Sequence, residues 1–123
     1  MANSKLMTQV EYGVTIVSFL DSRILDESNV QAIADELNAI VDKSVRPAVL
    51  IDFLKVEYLS SAVLGKLVAL HKKTLATKGV LKLCGMRPAI AQIFRVTKLD
   101  RVFDVHPDVA IAINAFRRSG VIK

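Results

Sequence analysis

Two short β-rich runs open the chain, residues 6–11 and 14–20, with Tyr12-Gly13 between them. A two-residue break ending in glycine between such runs predicts a tight β-hairpin. Asp26 then stands where a helix N-cap belongs, since its carboxylate can accept from a free amide of the first turn. Val30, Ile33, Ala34, Leu37, Ile40 and Val41 follow at helical spacing, with Asp35, Glu36 and Asp42 turned away. Pro47 precedes residues 48–53, a continuous apolar run interrupted only at Asp52. Such a run suits a central strand buried on both faces.

Ser60-Ser61 marks the start of a second helix, running from residue 61 to about 77. One face carries Leu64, Leu67, Val68, His71 and Leu75; another carries Ala62, Lys66, Ala69 and Lys73, small at first and basic further on. Gly79 is placed to end this helix in a left-handed conformation. Residues 80–84 form the next strand, and Pro88 suits the first turn of a third helix. That helix turns Ile90, Ile93, Phe94 and Thr97 inward. A last strand over 102–105 and a fourth helix begun by Pro107-Asp108, with Val109, Ile113 and Phe116 inward, complete the series. The order β-β-α-β-α-β-α-β-α predicts an α/β domain: a mixed sheet of about five strands with an N-terminal hairpin and four packed helices. No linker or repeat divides residues 1–123, so they read as one domain.

Composition narrows the function. Of 123 residues, 52% are hydrophobic, enough for an unaided core. No apolar run is long enough for a membrane span, and the polar N-terminus lacks a signal-peptide core, so the expected location is the cytoplasm, without membrane attachment. The lone Cys84 lies within an apolar run and reads as a buried, inert thiol. The net charge of +5 is spread along the chain without interleaved aromatic residues, which disfavours a nucleic-acid site. No metal or cofactor is implied. The glycines are far apart, and His71 and His106 are not spaced as a helical ligand pair. His71 reads as a core-edge residue. With no base beside a serine or cysteine, an enzyme is the least supported class.

One segment remains, from Asp52 to Leu67, where a buried strand leads into the serine-marked helix start. Helix N-termini stabilise negative charge, phosphoserine included. Plain capping by Ser60 and Ser61 is the simpler local explanation.

This segment resembles the STAS family, named for sulfate transporters and anti-sigma-factor antagonists. The family pattern is an aspartate at a strand end, a valine four residues on, then Asp-Ser-Ser/Thr-Gly-Leu-Gly. Asp52, Val56, Ser61, Leu64 and Gly65 match it without a gap. Ile24-Leu25-Asp26 resembles the family's approach to its first helix. The stretch from Gly79 to Cys84 resembles its strand after the second helix, and Ile93, Phe94, Thr97, Leu99, Asp100 and Phe103 its closing segment.

The resemblance implies a STAS-like fold and a non-enzymatic regulator of transcription. Antagonists of this type bind an anti-sigma factor that is also a serine kinase. Phosphorylation of the motif's second hydroxyl breaks the complex, and a phosphatase resets it. The implied partner-binding residues are Asp26, Ser60, Ser61, Ala62 and Lys66. The sequence departs from the pattern at the switch itself: Ser60 replaces the aspartate, Val63 a glycine, and Ala62 the phospho-acceptor. Three readings stay open. The chain is a permanently unphosphorylated antagonist, or it is phosphorylated at Ser61 or Ser60, or it is a scaffold with another partner. A STAS module binding a nucleotide or lipid is the alternative from another class. Whether the chain forms a homodimer is left open.

Overall fold

A computed structural model describes residues 5–24 and 27–118. Strands β1 (Leu6–Glu11) and β2 (Val14–Phe19) form the expected hairpin. Tyr12 and Gly13 both have positive φ, 53° and 79°, which makes the connection a type I′ turn whose twist matches that of the strands. The next elements are β3 (Arg23–Ile24), α1 (Glu27–Asp42), β4 (Ala48–Asp52), β5 (Tyr58–Leu59) and α2 (Ser61–Ala76). The chain continues through β6 (Val80–Cys84), α3 (Pro88–Val96), a 3-10 turn (Leu99–Arg101), β7 (Asp104–His106) and α4 (Val109–Arg118). The main sheet has the order β1-β2-β4-β6-β7; β1 is antiparallel to β2 and the other neighbours are parallel. This is the mixed, five-stranded α/β sheet with four helices that the pattern predicts. A separate ladder of two residues, β3 beside β5, was not legible in it.

The sheet separates two apolar layers. On one face Val17, Phe19, Val49, Ile51, Leu81 and Leu83 meet α1, α2 and α3 through Ile33, Leu37, Leu67, Leu70, Ile90 and Phe94. On the other, Val14, Ile16, Ala48, Leu50 and Cys84 meet Ala112, Ile113 and Phe116 of α4. Both faces of β4 are therefore covered, which is why its sequence is continuously apolar. Asp108 caps α4, its Oδ1 accepting from the Ile111 amide at 2.9 Å. Burial, with the charges of Asp52 and Asp108, pushes the Cys84 thiol up to about 12, so the protonated, unreactive form is the resting one. Lys82 is the charged residue buried in β6. It pairs with Asp104 and lies 5.3 Å from the Phe116 ring centre. Burial disfavours the Asp104 carboxylate, but Lys82 and the nearby His106 outweigh it and hold the carboxyl below its usual value.

Four sequence expectations need correction. Leu75 is 55% exposed, and α2 buries Val63, Leu64, Leu67, Leu70 and Thr74. Thr74 can occupy the core because its hydroxyl donates to the Leu70 carbonyl at 2.8 Å. The left-handed residue after α2 is Lys78 (φ 61°) rather than Gly79. The Gly79 amide reaches the Thr74 carbonyl and that of Lys78 the Leu75 carbonyl, both at 2.9 Å, which closes a Schellman motif. Gly79 is glycine for another reason: a Cβ there would lie 2.4 Å from the Pro47 carbonyl oxygen. The last strand is Asp104–His106, because residues 99–101 take the 3-10 turn. Lastly, Thr97 faces solvent, its hydroxyl donating to the Ile93 carbonyl.

His71 lies at the core edge as expected, its ring centre 5.1 Å from that of Phe103. Its Nδ1 is buried without a partner, and burial lowers its pKa from the ordinary 6.5. The unfolded chain therefore binds the proton more readily, so stability falls as pH drops below about 6.5 and levels off once His71 is charged in both states. Urea unfolding at pH 7.5 and 5.5 is expected to show this loss in the wild type and less of it in His71→Leu. The Asp104 contribution is lost only at lower pH, as pH falls through its depressed folded value, and stays out of this window.

Candidate functional site

The parallel strands point their C-terminal ends at one edge of the domain, where α2, α3 and α4 begin. At that edge β4 ends in Asp52, whose Oδ1 accepts from the Leu54 amide at 3.0 Å. Gly85 adjoins it with φ +72°, and a Cβ there would sit 2.3 Å from Asp52 Oδ1. Only glycine permits both the backbone conformation and the aspartate in that place. The Phe53 amide donates to the Cys84 carbonyl at 2.9 Å, and Arg87 Nε donates to the Leu54 carbonyl at 3.0 Å. The loop after β4 is thus fastened to β6 and to the start of α3. Asp52 acts here as a structural anchor.

The two-residue ladder sets the entry to α2. Arg23 pairs with Tyr58 and Ile24 with Leu59. The Ser22 carbonyl accepts from the amides of Glu57 and Tyr58, and the Ile24 carbonyl from that of Ser60 at 2.9 Å. The chain just before α2 is therefore held against the chain just before α1. Asp26 itself lies outside the described residues, so its expected place at the site is not described.

Ser60 is the N-cap of α2 in extended conformation, but its side chain makes no cap bond and its buried Oγ has no partner. Capping by the Ser60 hydroxyl, the simpler reading of that serine, is therefore not what the structure has. Ser61 and Ala62 are the first two helical residues and both are exposed. Gly65, Lys66 and Ala69 continue that exposed face, and an added Cβ at Gly65 would meet nothing within 4 Å. The result is a low, nearly bare strip along the first turns of α2. Lys66 borders it, its Nζ donating to Gln31 Oε1 of α1 at 3.2 Å. Further along, Lys73 bridges to Asp42 at 2.7 Å and to Asn38 at 3.1 Å. The structure thus brings Ser60, Ser61, Ala62 and Lys66 together on one edge.

Sequence reasoning missed the apolar rim beside this strip. Leu54 is 62% and Tyr58 52% exposed, and Leu20 projects from the end of neighbouring β2. The Arg23 guanidinium lies 5.0 Å from the Tyr58 ring centre, a cation–π contact that steadies the ring. The available signal was an apolar pair in a loop otherwise rich in charge. Among the described residues no cluster of His, Cys, Asp or Glu is arranged to hold a metal ion, and no helix is long and apolar enough to cross a membrane.

The mixed sheet thus presents, at one edge, a bare helix start with exposed apolar side chains in the preceding loop. The family model for the STAS domain matches residues 5–112, and the chain belongs to that family. The anti-sigma-factor-antagonist type is the one it resembles. It is 30% identical over 94 residues to BtrV of Bordetella bronchiseptica, whose name describes an anti-sigma factor antagonist; the match covers 76% of this chain and 80% of BtrV. A STAS-domain antagonist from Planctomyces limnophilus superposes with a TM-score of 0.84 at 28% identity, covering 91% of this chain and 97% of that one. An anti-sigma factor antagonist from Mycobacterium paratuberculosis gives 0.80 at 28% identity, covering 91% and 92%.

Proposed function

We propose that this chain controls transcription by binding an anti-sigma factor with serine-kinase activity, through the start of α2 and the rim of Leu54 and Tyr58. The observation that carries this reading is the exposed strip of Ser61, Ala62, Gly65 and Ala69. Small side chains let a partner backbone approach closely, and exposed Leu54 and Tyr58 beside them supply apolar area to bury. The protein acts by association, in the cytoplasm, and not by catalysis.

Ala62 decides how the complex is switched. A methyl group cannot take phosphate, so the position that would carry the switch stays uncharged and binding-competent. Ser61, exposed at the first position of α2, is the hydroxyl left for a kinase to reach, whereas the buried Oγ of Ser60 is shielded. Phosphate on Ser61 would add roughly −1.5 to −2 charges to a close-packed contact and release the partner.

Affinity capture on the tagged chain from its native cells, under phosphatase inhibition, tests this. The expected result is recovery of an anti-sigma factor with a kinase domain, and phosphosite mapping that finds either no phosphate or phosphate on Ser61. Recovery of other partners alone, with Ser61 irrelevant to their retention, would contradict the proposal.

A further inference from the structure

Strand β1 ends the sheet on its free side, and its sequence is complementary to itself. The Lys5 carbonyl accepts from the Leu20 amide at 3.1 Å, so main-chain groups of odd-numbered residues face β2. By the alternation of an antiparallel ladder, those of Thr8 and Val10 face the open edge. Among the described residues, the middle of the strand lacks the devices that protect such edges. The strand has regular register, no proline, and no charge between Lys5 and Glu11. Met7 is 53% and Val10 68% exposed.

We propose that β1 pairs antiparallel with β1 of a second copy about a two-fold axis through Thr8, joining two sheets into one of ten strands. In this register Thr8 stands opposite Thr8 of the second copy, and the two exchange both main-chain hydrogen bonds. Met7 stands opposite Gln9, Leu6 opposite Val10, and Lys5 opposite Glu11, each twice by symmetry. The two ends carry opposite charges and the middle carries none, so this register forms two cross-strand ion pairs. A shift by two residues loses them, and a shift by one turns the side chains to the wrong faces.

The helix-side face fits the same arrangement. A cleft beside β1 is lined by Leu6 and Thr8 of the strand, by Glu36, Ala39 and Ile40 of α1, and by Lys43 just after that helix. Val10 of the second copy, opposite Leu6 and on the same face, enters that cleft. The edge lies on a different side of α1 from α2, which α1 meets through Gln31, Asn38 and Asp42. Self-association therefore leaves the start of α2 open, so one dimer offers two partner sites.

Sedimentation equilibrium of the intact chain over a concentration series tests the pairing. The expected mass approaches twice 13.5 kDa. Glu11→Lys alone, and Lys5→Glu alone, are expected to weaken association roughly tenfold. The double change Lys5→Glu with Glu11→Lys restores it, a rescue that damage to the fold would not give. A wild type that stays monomeric throughout, or a dimer indifferent to the single changes or not rescued by the double one, overturns the proposal.

Discussion

Ala62→Asp abolishes partner binding and leaves the fold intact. Ala62 is the second residue of α2, exposed, in a first turn that carries no acidic residue. A carboxylate there meets the positive end of the helix dipole, a favourable contact of about 0.3–1 kcal/mol. The isolated protein should therefore unfold at the same temperature as wild type or slightly higher. In the complex the same carboxylate is caught in a close-packed contact without a designed partner. An uncompensated buried charge costs about 3–5 kcal/mol, which is more than ~100-fold in Kd. Titration calorimetry against the captured anti-sigma factor, with a thermal melt of each protein alone, separates the two effects. Equal loss of melting temperature and binding would assign Ala62 to the fold instead. Ala62→Ser, which restores a hydroxyl at the acceptor position, is the natural companion: it should bind as wild type does.

The second large effect is on stability. Phe53 is fully buried, with ring centres of Phe19 and Phe94 at 5.3 and 6.0 Å. It ties β2, β4 and α3 together directly beneath the loop that carries Leu54. Phe53→Ala is expected to lower unfolding free energy by about 3–5 kcal/mol, a large part of the roughly 5–15 kcal/mol typical of a domain. Phe53→Leu keeps most of the volume and should cost less than about 2 kcal/mol. Urea unfolding followed by circular dichroism distinguishes them. Similar midpoints for both variants would mean that the site closes over the cavity, and that Phe53 does not fix this loop.

The sequence carried the layout because its strongest signals are local. Tyr12-Gly13 between two β-rich runs points to a tight turn, and the apolar run at β4 suits a central strand. The errors arose where particular contacts, local or distant, override spacing. Leu75 looks apolar on a helical wheel, yet Thr74 takes the core position by bonding its own helix. Gly79 looked like a left-handed cap, but its lack of a side chain answers to Pro47, far away along the chain. The site divides the same way. Ser60 to Lys66 was legible because those residues are contiguous and resemble a known motif. Arg23 and Tyr58 were not, because a ladder of two residues is too short to show periodicity.

The account rests on the claim that the start of α2 and its apolar rim are the contact surface. Hydrogen exchange of the chain, alone and bound to the captured partner, measures this most directly. The expected result is new protection over residues 54–69, with 20–24 following through the β3–β5 ladder, and little change in α4. Unchanged exchange at the start of α2, with protection confined to α4 or to the β1 edge, would contradict the claim.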